Sequence, residues 1–147
     1  MKRSIVAIVC AAVLTAIMGL SACGQSLPAP SVTLPVTLAS FTAVKYDYDL
    51  DLGDFKYKFE LSKAQQGEFQ RLLQADKWFD PGELPGRGYT SVIDAVNGAG
   101  WYLTVGYWDE QNTIIALFSD DQTEKTFYFA PFEVQEKAGK FRDKLHK

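Results

Sequence analysis

The chain has 147 residues, 47% of them hydrophobic and 14% aromatic, and a formal net charge of −3. That length suits one domain with a substantial core and leaves no room for two sizeable ones. It contains no basic patch and no run of Lys and Arg, which argues against a nucleic-acid partner and against electrostatic attraction to anionic lipid.

At the N-terminus, Lys2 and Arg3 precede an uncharged apolar run of 16 residues, Ile5 to Leu20, and the small residues Ser21 and Ala22 lead into Cys23. A secretory signal has this order of charge, apolar run and small-residue exit. The run is short for a bilayer span, which needs about 20 apolar residues. Leu20-Ser21-Ala22-Cys23 resembles the lipobox of bacterial lipoproteins. The resemblance implies cleavage before Cys23, acylation of its thiol, and a chain anchored by lipid to a bacterial cell membrane or outer membrane, facing away from the cytoplasm. Gly24 in place of Asp is compatible with outer-membrane sorting in a Gram-negative envelope. A plain signal peptide and an uncleaved anchor are the alternatives. Two acyl chains hold a protein to a bilayer where one holds it only marginally.

The resemblance divides the chain into a signal peptide over 1–22, a lipidated Cys23 with a Pro-rich tether up to residue 40, and one domain over 41–147. Loss of Lys2 and Arg3 moves the net charge from −3 down by two, to −5. Cys10 and both methionines leave with the signal, so no disulfide, cysteine nucleophile or cysteine metal site remains. Residues 24 to 40 hold Pro28, Pro30 and Pro35 and no charge. They read as an extended tether with a reach on the order of 50 Å, unless Val36 to Phe41 forms an edge strand.

Val44, Tyr46, Tyr48, Leu50 and Leu52 alternate with polar residues, as do Phe55, Tyr57, Phe59 and Leu61 after Gly53-Asp54. Alternation predicts two half-buried strands, and the two-residue Gly-first loop predicts a type II′ hairpin pairing Leu52 with Phe55, Leu50 with Tyr57 and Tyr48 with Phe59. Asp51 then faces Lys56 and Asp49 faces Lys58. The carboxylates do not make a calcium loop, because Leu52 stands where that loop needs Gly and Lys58 where it needs Glu.

Ser62 and Gln65 form a capping box that opens a helix with an apolar stripe of Phe69, Leu72 and Leu73, extended by Trp78 and Phe79 and stopped by Asp80-Pro81-Gly82. Pro81 to Gly88 reads as a partner-facing loop with Arg87 as its candidate contact. Its Gly-x-Gly lacks the strand and helix that a phosphate cradle requires, and no cofactor is expected. Strands follow over Tyr89 to Val96, Trp101 to Trp108, Thr113 to Ser119 and Lys125 to Ala130, separated by turn clusters. A last helix opens with Pro131 at its first position and presents Val134, Ala138, Phe141 and Leu145 on one face. The order β-β-α-β-β-β-β-α predicts an α+β domain: an antiparallel, mostly meandering sheet with two helices packed on it.

No catalytic constellation is present. His146 is the single histidine and next to last, which argues against a Ser-His-acid triad or a histidine-rich metal site; it reads as a frayed end. The mature chain has no Ser-x-x-Lys. Asp94 breaks its pattern by sharing a strand face with Val92 and Val96, opposite Leu103, and a carboxylate on an apolar face has a raised pKa. Tyr102 and Trp108, with Ile115 and Leu117, form an exposed aromatic patch if one helix leaves its side of the sheet uncovered. The expected function is non-catalytic binding of a protein or an envelope component through the sheet face or the Pro81–Gly88 loop. An inhibitor or immunity-type protein docking through a projecting acidic or aromatic loop is the alternative. A hydrolase using Asp94 and a second carboxylate is the third class.

Overall fold

A computed structural model of the chain describes residues 27–84, 86 and 88–146. The signal segment, Cys23 and Arg87 lie outside the described residues. The elements are β1 (Phe41–Asp49), β2 (Asp54–Glu60), α1 (Lys63–Leu72), β3 (Thr90–Asn97), β4 (Trp101–Tyr107), β5 (Asn112–Ser119), β6 (Lys125–Pro131) and α2 (Glu133–Lys144). The six strands form one antiparallel sheet in the order β2-β1-β3-β4-β5-β6. The domain is thus α+β, with a β3–β6 meander and a β1–β2 hairpin joined to it beside β3. Among the described residues no helix is long and apolar enough to cross a membrane.

Both helices lie on the same face of the sheet. Ile93, Val105, Ile115 and Tyr128 are successive cross-strand neighbours on that face, as are Ala95, Leu103 and Leu117. They share one buried cluster with Phe69, Leu72 and Leu73 from α1 or its end and with Val134, Ala138 and Phe141 from α2. Phe69 and Phe141 bring the two helices together, ring centroids 5.5 Å apart.

Helix α1 starts as its sequence predicts: the Ser62 side chain accepts the Gln65 N–H, and the Gln65 side chain accepts the Ser62 N–H. It ends sooner than expected. Gln74 adopts φ 49°, a 3-10 turn covers Ala75–Lys77, and Trp78 swings into the core with its indole N–H donating to the Leu73 carbonyl at 2.6 Å. Phe79 then pairs with Phe129 on the outer edge of β6. Pro131 closes β6 rather than opening α2. Phe132, at the head of α2, has no capping side chain; Thr113 of β5 supplies the cap, accepting the Gln135 N–H at 3.2 Å and donating to the Pro131 carbonyl at 2.8 Å.

Three further sequence expectations are corrected by the hairpin, the N-terminal segment and the C-terminus. The β1–β2 register is four residues from the predicted one, pairing Tyr48 with Phe55 and Tyr46 with Tyr57. The Asp49 carboxylate accepts the N–H groups of Asp51 and Leu52 at 2.8 and 3.2 Å, and Gly53 turns at φ 65°. A side chain that hydrogen-bonds the backbone two residues on stabilises a longer turn. An even shift keeps every side chain on its predicted face, but Leu50 and Leu52 become 88% and 70% exposed at the tip. Asp49 now pairs with Lys56 at 3.7 Å and Asp54 with Lys58 at 2.6 Å.

The second correction concerns the tether, whose later part is docked on the domain. Ser31 donates its N–H to the Ala75 carbonyl at 3.0 Å, and its hydroxyl to the Trp78 carbonyl. The Tyr128 hydroxyl donates to the Thr33 carbonyl at 3.1 Å. Val32, Leu34, Val36 and Leu38 pack against the core, so apolar alternation in this segment finds a surface to bury.

The third is His146, which is held in place. It shares a hydrogen bond of 2.7 Å with the Tyr46 hydroxyl and stands edge-on to Tyr57, centroids 4.4 Å apart.

Leu117→Ala is expected to cost about 2–5 kcal/mol, because it opens a cavity in a side chain with no exposed surface. Leu50→Ala at the hairpin tip is expected to stay within about 0.5 kcal/mol. Urea midpoints of the two variants check this ranking.

Candidate functional site: the helix-free sheet face

With both helices on one side, the opposite face has only loops and its own side chains for cover. Asp94 sits near its centre, 8% exposed, across from Lys45 on β1 and Thr104 on β4. Sequence spacing placed Leu103 opposite Asp94. The β3–β4 turn is instead shaped by Asn97, whose side-chain oxygen accepts the N–H groups of Ala99 and Trp101 at 3.0 and 2.9 Å, with Gly100 at φ 82°. The register differs by one residue from the expected one, and a one-residue change exchanges the faces. Leu103 therefore goes to the core and Thr104 meets the carboxylate.

A bulge between Ser91 and Ile93 completes the pocket of donors. It turns Ser91 to the side of Asp94, where its hydroxyl donates to Oδ2 at 3.2 Å. Val92, expected on that side, packs against the core instead. Thr104 donates its hydroxyl to Oδ1 of Asp94. Burial raises the Asp94 pKa above its ordinary value of 3.8, and the two hydroxyls and the Lys45 charge work against the rise. Burial also raises the Tyr89 phenol, with the Asp94 charge adding to it.

Aromatic rings and lysines cover the surrounding surface. Tyr102 and Phe118 are cross-strand neighbours, stacked at 5.3 Å with an interplanar angle of 11°. The Lys45 ammonium lies 4.6 Å from the Tyr102 centroid and 4.8 Å from that of Phe55. Lys125 lies 5.3 Å from Phe127 and 6.0 Å from Phe118. Each such exposed cation–ring contact contributes about 0.5–1 kcal/mol. The Tyr102 hydroxyl donates to Asp120 at 3.3 Å.

Trp108 shares this face with Tyr102, as the alternation predicts, but is only 7% exposed and packs on Phe129 at 5.6 Å. Ile115 and Leu117 are fully buried on the helix side and take no part. The patch that reaches solvent is therefore Lys45, Tyr102, Phe118, Lys125 and Phe127. Phe118 and Phe127 follow from pairing arithmetic once the β4–β5–β6 register is known. Ser91 carries no sequence signal, since a bulge is invisible in alternation.

The other end of the face is closed by Tyr89. Its ring lies over Gly106, where an added Cβ would approach Tyr89 Cδ2 to 2.8 Å and Ile114 Cγ2 to 2.9 Å. What remains is an open surface of rings and lysines. Among the described residues no group of three or more His, Cys, Asp or Glu side chains could hold a metal ion.

Two measurements test this geometry. Gly106→Ala is expected to destabilise by about 1–3 kcal/mol through overpacking against Tyr89 and Ile114, read from denaturant unfolding. For Asp94, a folded-state pKa above the unfolded value means that the native state binds more protons, so its contribution to stability is present below pH 3.8 and is lost as pH rises through the folded value. The stability of wild type relative to Asp94→Asn should be level below that pH and fall above it; a difference that stays level, or rises, contradicts the assignment. No protein-family model, curated protein or solved structure matches the chain.

Proposed function

We propose that this protein is a lipid-anchored component of a bacterial envelope, facing away from the cytoplasm, that acts by non-catalytic binding, and that its helix-free sheet face is the surface that binds. The observation that carries the reading is the one-sided packing of the helices. It leaves a flat group of rings, Tyr102, Phe118 and Phe127, beside Lys45 and Lys125. Aromatic residues are enriched at interfaces because they bring large apolar area with few rotatable bonds. The partner is a protein or a polymeric envelope component, since stacked rings beside two ammonium groups suit an extended surface contact. The anchor rests on Leu20-Ser21-Ala22-Cys23. The docked segment after it supports a shortened connection: Ser31, hydrogen-bonded to Ala75 and Trp78, is eight residues from Cys23, a span of at most about 29 Å, against the roughly 50 Å of a free tether.

A second reading has its own observation. The β1–β2 tip projects with Leu50 and Leu52 largely exposed among Asp47, Asp49, Asp51 and Asp54. An acidic, apolar tip of this kind suits an inhibitor or immunity-type protein that plugs a basic cleft.

Photocrosslinking in cells separates the two readings. A photoreactive amino acid at position 102 should give a discrete adduct; one at position 137, on the exposed outer side of α2, should not. An adduct from position 50 alone favours the inhibitor reading, and equal labelling from all three positions removes both. Replacement of Cys23 by Ala should abolish incorporation of labelled palmitate.

A further inference from the structure

A groove lies between the docked N-terminal segment and α1. Nearly every residue from Leu27 to Ala39 lines one wall, and Gln70, Arg71, Gln74, Ala75 and Asp76 line the other. Its volume is about 890 Å³, within the range of small-molecule sites. Arg71 and Asp76 are its only charged lining residues and are of opposite sign. The wall of Leu, Val, Pro and Ala from the N-terminal segment suits an apolar occupant, while Gln70, Arg71, Gln74 and Asp76 make the opposite wall polar.

We infer that this groove seats an acyl chain carried by Cys23 of the same molecule, an inference that rests on the lipid-anchor reading above. The argument is one of position as well as chemistry. Leu27 lines the groove and is four residues after Cys23, so the thiol is tethered within about 14 Å of a lining residue. A link this short gives an effective concentration in the mM range when it spans the two sites, which a free lipid does not match. Burial of methylenes is favourable in the groove and in the bilayer alike, so the chain partitions between them. Because one acyl chain holds weakly and two hold firmly, a chain in the groove loosens the grip on the membrane. The docked segment thereby sets how tightly the domain is held.

The test uses cells fed a palmitate analogue that carries a diazirine and an alkyne. After irradiation of membranes holding the full-length protein, peptides attached to the label are mapped by mass spectrometry. The expected result is label on Cys23 and a crosslink within the same chain to a peptide containing residues 70–76. Ala29→Trp, at an exposed lining position, should reduce that crosslink several-fold with the Cys23 label intact. Label on Cys23 with crosslinks only to lipid or to other proteins overturns the inference and leaves the anchor standing. Absence of label on Cys23 overturns both. A crosslink to residues 70–76 that persists in Cys23→Ala identifies the occupant as a separate lipid and overturns the own-chain assignment, as does a crosslink indifferent to Ala29→Trp.

Discussion

The row Ile93–Val105–Ile115–Tyr128 runs across four neighbouring strands, and α2 lies across three of them while touching α1. Each of these side chains is at most 5% exposed, and full burial of a residue of this size is worth about 1.5–3 kcal/mol. The row holds only while β3, β4 and β5 keep their register, because a slip of one residue would turn Ile93, Val105 and Ile115 out of the core. The Asn97 turn, Thr113 at the head of α2 and the Trp78 anchor all serve that alignment. The first sets the β3–β4 pairing, the second ties α2 to β5, and the third stacks on Tyr128 at 5.6 Å.

One-sided packing has a consequence for the opposite face. A sheet with helices on a single side must solve its other face with its own side chains. Here Thr104, Ile114 and Ala116 are buried on that side, among rings that include Tyr102 of β4, Phe127 of β6 and Tyr89 just before β3. The carboxyl of Asp94 is tolerated because two hydroxyls donate to it, consistent with the cost of burying a charge without partners. The aromatic residues of this face divide between two places: Trp108 is buried against Phe129, while Tyr102 and Phe118 stay partly exposed.

The N-terminal segment shows how a segment without regular structure joins a core. Ser31 and Thr33 use backbone and hydroxyl groups to satisfy Ala75, Trp78 and Tyr128, and the intervening valines and leucines bury one side each. These contacts oppose the loss of chain freedom, about 1–2 kcal/mol per ordered residue. Its docking joins residues 31–38 to the folded domain.

Local patterns were sufficient to place the strands, both helices, the capping box and the α+β class, since alternation and helical spacing report which side of an element is apolar. They also singled out Asp94 and Tyr102, whose chemistry stands out against their neighbours. The partners of those residues were decided by tertiary structure. A carboxylate lengthened the β1–β2 turn, an asparagine shifted β3–β4 by one residue, and a bulge turned Ser91 toward Asp94. Trp108 and Tyr102 share an alternation class yet differ in exposure: Trp108 packs on Phe129 and is buried, whereas Tyr102, between Phe118 and Lys45, stays partly exposed. Periodicity fixes the direction of a side chain relative to its own strand, whereas register, bulges and the placement of helices determine what it meets there.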